Sequence, residues 1–121
     1  MEDVYELIKD LNWNLDLETQ KIAINKLVTR NDYNLEMLIQ PGYCKEVWEN
    51  AAIVLVKKGY KEYKDVINKM FWCLQDMNWP GSYIIYEELL SIKKENLISD
   101  YEKIVSICLN ENDDEWLYNL C

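Results

Sequence analysis

Histidine is absent from this chain, arginine occurs once, at Arg30, and there are only three glycines and two prolines. Each scarcity excludes something. Without histidine there is no Ser-His or Cys-His pair to activate a nucleophile. Without a glycine-rich loop there is nothing to cradle a phosphate. Cys44, Cys73, Cys108 and Cys121 are far apart and form no C-x-x-C pair, so zinc-finger spacing is missing too. Gly42, Gly59, Gly81, Pro41 and Pro80 are far too few turn residues for an all-β chain of 121 residues. Long apolar runs are also lacking: the longest, residues 51–56, is too short to span a bilayer. The first ten residues carry Glu2, Asp3 and Glu6 with no apolar stretch, unlike a signal peptide. The cytoplasm is therefore the expected location, and no cofactor, metal or catalytic site is expected.

Among what is present, apolar residues make up 50% of the chain and aromatics 12%, enough for one packed domain over residues 1–121. Twenty-two acidic against 13 basic side chains give a net charge of -9. Such a surface repels nucleic-acid phosphates and anionic lipid, so neither is an expected partner, and it would steer toward a basic macromolecule. Solubility alone explains the same charge equally well. The apolar neighbours of Cys73 and Cys108 predict buried thiols in a reducing compartment.

Periodicity predicts an all-α fold of eight helices, near 3–11, 17–29, 34–40, 44–58, 62–77, 81–92, 99–109 and 114–121. The clearest stripe is Tyr63, Val66, Ile67, Met70, Phe71, Leu74 and Met77, at three- and four-residue steps. Asp16 is a candidate cap, Ser99 with Glu102 reads as a capping box, Gly59 as a helix stop and Pro80 as a helix start. Residues 51–56 are apolar all round, which predicts a helix sandwiched between neighbours. Order also repeats. Asp10-Leu11-Asn12-Trp13 reappears as Asp76-Met77-Asn78-Trp79 at an offset of 66, and Asp32, Tyr33, Ile39 and Trp48 match Asp100, Tyr101, Ile107 and Trp116 at 68. Two four-helix units, about 1–60 and 61–121, would form a stack of antiparallel helix pairs.

The run Leu74-Gln75-Asp76-Met77-Asn78-Trp79-Pro80, with Asp113, Asp114 and Trp116 further on, resembles a family of small bacterial HEAT-like domains of unknown function. Its pattern is Trp-Leu-Gln-Asp-x-Asn-Trp-Pro followed by Asp-x-x-Trp-Lys-Tyr. Here Cys73 stands at the first tryptophan and Leu117 at the lysine. The resemblance covers Lys45 onward and implies a HEAT-like stack. It also implies a place beside bacterial toxin and immunity genes, with no assigned chemistry.

The repeated Asp-x-Asn-Trp reads as joint chemistry: Asp10, Asn12, Asp76 and Asn78 bind turn backbone, Trp13, Trp79, Trp48 and Trp116 pack over joints, and Pro80 sets the next turn. Residues 110–115 form the densest carboxylate run. They lack the glycine and spaced glutamate of an EF-hand loop, so helix capping by Asp113 or Asp114 explains them better than calcium. The remaining carboxylates, Glu111, Asp113, Asp114 and Glu115, are candidate contacts for a partner's lysines or arginines, and with Asp76 they are expected to share one rim. Trp72 lies off the apolar stripe, so it either packs on a second neighbour or stands exposed as a candidate contact. The reading that follows is a non-catalytic acidic protein-binding module, most concretely an immunity protein against a basic toxin domain. The alternative is an enzyme or small-ligand carrier using a pocket lined by Tyr43, Tyr60, Tyr83 and Tyr86.

Overall fold

The computed structural model describes residues 3–120, and every regular element among them is helical. In chain order these are α1 (Val4–Lys9), α2 (Leu17–Thr29), α3 (Trp48–Lys58), α4 (Tyr60–Tyr63), α5 (Ile67–Trp72), α6 (Ser82–Ser91), α7 (Ile98–Glu111) and α8 (Asp114–Leu120). Single 3-10 turns at Leu35–Leu38, Lys45–Val47, Lys64–Val66, Cys73–Gln75 and Lys94–Asn96 fill the connections. Local chemistry accounts for most boundaries. The Asp16 carboxylate accepts hydrogen bonds from the Thr19 hydroxyl and amide at 2.7 and 3.2 Å, which cap α2 and hold its pKa below the ordinary value. Asp3 caps α1 and Asp113 caps α8, the latter accepting from the Trp116 amide at 3.0 Å. Gly59 ends α3 at φ 88, a backbone region that side chains avoid.

The expected helix at 34–40 is instead the single turn Leu35–Leu38. Ile39 is already extended, and Gln40 takes φ 46 ahead of Pro41, whose ring disfavours a right-handed helical residue before it. The Ser99 capping box does not form either. α7 starts one residue earlier, at Ile98, directly after the turn Lys94–Asn96, so Ser99 lies inside its first turn. Pro80 lies two residues before α6, separated from it by Gly81, and so does not occupy its first turn. Residues 60–75 keep one helical course but tighten to 3-10 geometry twice. The second tightening presents the carbonyls of Cys73 and Asp76 to the Ser82 hydroxyl, at 2.6 and 3.0 Å. Cys121 and the far end of the expected last helix lie outside the described residues.

α3 is the central element. It packs against α2, α6 and the turn Leu35–Leu38, and Ala51, Val54 and Leu55 have no exposed surface. The stripe from Tyr63 to Leu74 is buried throughout, as its spacing requires. Two polar clamps fix α2 beside α3 in the same direction. At one end the Asn50 amide donates to the Leu11 carbonyl at 2.7 Å and to the Gln20 side-chain oxygen at 2.9 Å, while the Gln20 amide donates to the carbonyls of Trp13 and Leu15. At the other end the Lys58 ammonium donates to the carbonyls of Leu27, Val28 and Arg30, satisfying the open end of α2.

α6 reaches α3 through Gly81, which is left-handed at φ 86. A Cβ there would lie 2.9 Å from the Trp48 carbonyl oxygen and 3.1 Å from the Ala52 Cβ. Gly81→Ala is therefore expected to destabilise the fold by about 2 to 4 kcal/mol, combining backbone strain with a clash against main chain. Gly42→Ala, with nothing within 4 Å of its Cβ and no positive φ, should stay within about 0.5 kcal/mol of the parent. Urea unfolding of the two variants tests the contrast, and equal midpoints would refute it.

Candidate functional site

α8 is held by its side chains to the carbonyls of α5 and the turn after it. The indole nitrogen of Trp116 donates to the Phe71 carbonyl at 3.0 Å, and the Asn119 amide donates to the Leu74 carbonyl at 2.6 Å. Because Trp116 meets Phe71 and Asn119 meets Leu74, α8 runs in the same direction as α5. It packs on α7 and on the turn Cys73–Gln75, but it does not lie along α6. A cleft of about 320 Å³ runs between α6 and α8. Phe71, Leu74, Leu89 and Tyr101 form its floor, Tyr86 and Leu90 its α6 wall, and Asn119 and Leu120 its α8 wall. Leu97 and Ile98 close one end, and Lys94 is the one charged residue lining it. A second hollow continues past Tyr86 and Asn119 to Met77, Tyr83 and Tyr118.

The exposure of the walls is unusual for apolar side chains. Leu90 is 69% exposed, Tyr83 63%, Tyr118 81% and Ile98 41%. They arise from the sequence of α6, which carries two stripes. Ser82, Ile85 and Leu89 face the core, while Tyr83, Tyr86 and Leu90, about 100° round the helix, face the cleft and the hollow beside it. Sequence reasoning missed this second stripe, although its three- and four-residue spacing was there to be read.

The sequence-derived candidates divide between this region and elsewhere. Glu111, Asp114 and Glu115 are exposed around the start of α8, whereas Asp113 is used as its cap. Asp76 binds the Asn78 amide at 2.9 Å in a tight turn just beyond Leu74, at the far end of α8 from Glu111. The expected single rim is thus not formed, because α8 lies parallel to α5 and its length separates the two. Trp72 is 42% exposed, edge-on to Trp116 at 6.0 Å between ring centroids and under the Lys69 ammonium at 5.1 Å, so it is both packed and accessible.

The two joints are not equivalent. In the second, Asp76 makes the turn bond and Trp79 packs edge-on to Trp48 at 5.9 Å, while the Trp48 indole donates to the Pro41 carbonyl at 2.8 Å. In the first, the turn bond moves to Asn12, which accepts from the Asn14 amide at 2.8 Å, and Asp10 is instead the residue that caps the C-terminal end of α1. Trp13 is 43% exposed and does not cover the joint as expected, since the Gln20–Asn50 clamp already satisfies that loop.

The four tyrosines of the ligand-pocket reading do not converge. Tyr83 and Tyr86 share the hollow beside the cleft, Tyr43 lines a separate depression with Tyr5 and Lys9, and Tyr60 packs edge-on to Tyr63. Several buried thiols and phenols are shifted away from their anionic forms. Burial pushes the Cys73 thiol up to about 12 and the Tyr33 phenol to about 12, and raises Cys108 as well, with Asp113 and Glu111 adding to that shift. Tyr63 is raised by burial and by donating a hydrogen bond to Glu88. Among the described residues, no group of three or more acidic or thiol side chains is arranged to hold a metal, and no helix is long and apolar enough to cross a membrane.

A domain family of unknown function, DUF5071, matches residues 47–121. The chain belongs to this family. No curated protein and no solved structure matches the chain. The DUF5071 region begins at the start of α3, so it contains both partners of the Gly81 contact and the whole cleft, while α1 and α2 lie outside it.

Two outcomes follow from this geometry. Trp79→Ala should cost about 2 to 3 kcal/mol, because it removes the ring that packs on Trp48, whereas Trp13→Ala should cost under about 1 kcal/mol. Denaturant unfolding distinguishes them, and a larger loss at Trp13 would overturn the assignment. In the folded protein at pH 8, a maleimide should label partly exposed Cys44 well before Cys73 or Cys108, as peptide mapping would report.

Proposed function

We propose that this chain is a non-catalytic protein-binding module for a basic protein and, in its most concrete form, an immunity protein that occupies a toxin domain. The observation that carries the reading is the apolar cleft set in the acidic part of the chain. Residues 82–121 hold nine carboxylates against three lysines, and the cleft exposes the aliphatic side chains of Leu90 and Ile98, with Tyr83 and Tyr118 exposed at the adjoining hollow. Large exposed apolar patches on a charged surface are what protein-binding sites are made of. In this reading the scaffold is a HEAT-like stack of helix pairs, and the second unit has diverged from the first by turning α8 parallel to α5. The buried, raised thiols favour a binding role over nucleophilic chemistry. Cytoplasmic residence fits these thiols and completes the proposal.

Co-purification with the product of the neighbouring open reading frame tests the partner. Electrostatic steering should make association fast and salt-sensitive. Glu111→Lys with Glu115→Lys, both exposed and neither a cap, is expected to slow association about tenfold at low ionic strength with little change in dissociation. Asp113 is left intact because its reversal would also remove the α8 cap. An association rate unchanged at low salt would sink the charge-steered reading.

A further inference from the structure

We propose that the cleft between α6 and α8 receives one two-turn stretch of a basic amphipathic α-helix, its apolar stripe on the floor and its lysines or arginines against the walls. This rests on the protein-binding reading above and names its docking mode.

Three features point to a helix. First, length matches: the α6 face from Tyr83 in the adjoining hollow to Leu90 in the cleft spans about 10 Å at the helical rise, the same distance that separates residues i and i+7 of a ligand helix. Second, the floor of Phe71, Leu74 and Leu89 is continuous and apolar, suited to anchors at helical spacing rather than to an extended strand, and no sheet edge exists among the described residues to pair with one. Third, the α6 and α7 sides of the cleft share one pattern: an exposed apolar side chain with a carboxylate one turn away on the same face. On α6, Glu87 lies one turn from Leu90, and on α7 Glu102 lies one turn from Ile98. Carboxylates beside the apolar trough on two sides complement a helix with a leucine-like stripe and basic shoulders. Lys94, at the closed end, would meet the negative C-terminal end of that helix and so sets its direction.

The test uses the full chain and synthetic peptides of about four helical turns. One has leucines at i, i+3, i+4 and i+7 on a lysine background, the second has the same composition scrambled, and the third replaces lysine with glutamate. The patterned leucine–lysine peptide is expected to bind at least about tenfold more tightly than either other peptide. Its NMR shift changes should concentrate in residues 83–102 and 115–120. Leu90→Gln with Ile98→Gln, both at exposed positions, should weaken it about tenfold or more, while Leu17→Gln, equally exposed on α2, should leave it unchanged. Glu87→Lys with Glu102→Lys should weaken the leucine–lysine peptide and improve the leucine–glutamate one.

Equal binding of the scrambled peptide would overturn the docking mode while leaving a charge-driven partner in place. So would an equal loss from Leu17→Gln, or decanoate filling the cleft while the peptide fails to bind, which would assign it to a small ligand. Peptide binding in the cleft together with no binding by the neighbouring gene's product would uphold the docking mode and remove the toxin partner.

Discussion

The approach of Gly81 to the Trp48 carbonyl is the contact on which the rest of the molecule depends. At that separation no side chain fits, and the left-handed backbone that delivers Gly81 there is one that other residues adopt at a cost. The contact seats the start of α6 on the start of α3, with Ala52 as the small residue opposite and the Trp48–Trp79 edge contact beside it. The elements before α3 reach those after it largely through this seam, because α3 packs on α2 on one side and on α6 on another.

From that seam the cleft follows. α6 is committed on one stripe to α3 and to the turn that Ser82 clamps, and its second stripe is left for whatever lies on its other side. α8 could have covered it, as α3 covers α2. Instead Trp116 and Asn119 spend their hydrogen bonds on carbonyls at Phe71 and Leu74, which fixes α8 over α5 and holds it away from α6. A tryptophan nitrogen and an asparagine amide buried without acceptors would each cost a few kcal/mol, so the polar anchoring dominates over burial of one tyrosine and one leucine. The open wall is thus a consequence of where polar groups found partners.

Much of this was legible in the sequence, and the exceptions have identifiable causes. The buried stripe from Tyr63 to Leu74, the Asp16 and Asp113 caps, the Gly59 stop and the sandwiched helix around residues 51–56 are all local patterns, and all appear in the structure. The helix at 34–40 failed because Pro41 constrains Gln40, a rule visible in the sequence but outweighed by apolar spacing. The shared acidic rim failed for a deeper reason. Counting helices assumes that each turn reverses the chain, and nothing in residues 92–97 announces where the connection leads. The non-equivalent joints show the same limit: Asp10 and Asp76 match in sequence, yet the turn bond moves to Asn12 in one copy because Gln20 and Asn50, thirty residues apart, supply a clamp that has no counterpart in the other.

The burial of α3 by segments that precede and follow it also sets a timetable for the growing chain. When Lys58 leaves the ribosome, α2 is available to cover one flank, but the flank meant for α6 stays bare until synthesis has passed Ser91. At about 5 to 20 residues per second that interval is roughly two to seven seconds, during which a helix rich in alanine, valine, isoleucine and leucine displays its apolar side to the cell. A nascent chain with that exposure is a natural client for holdase chaperones.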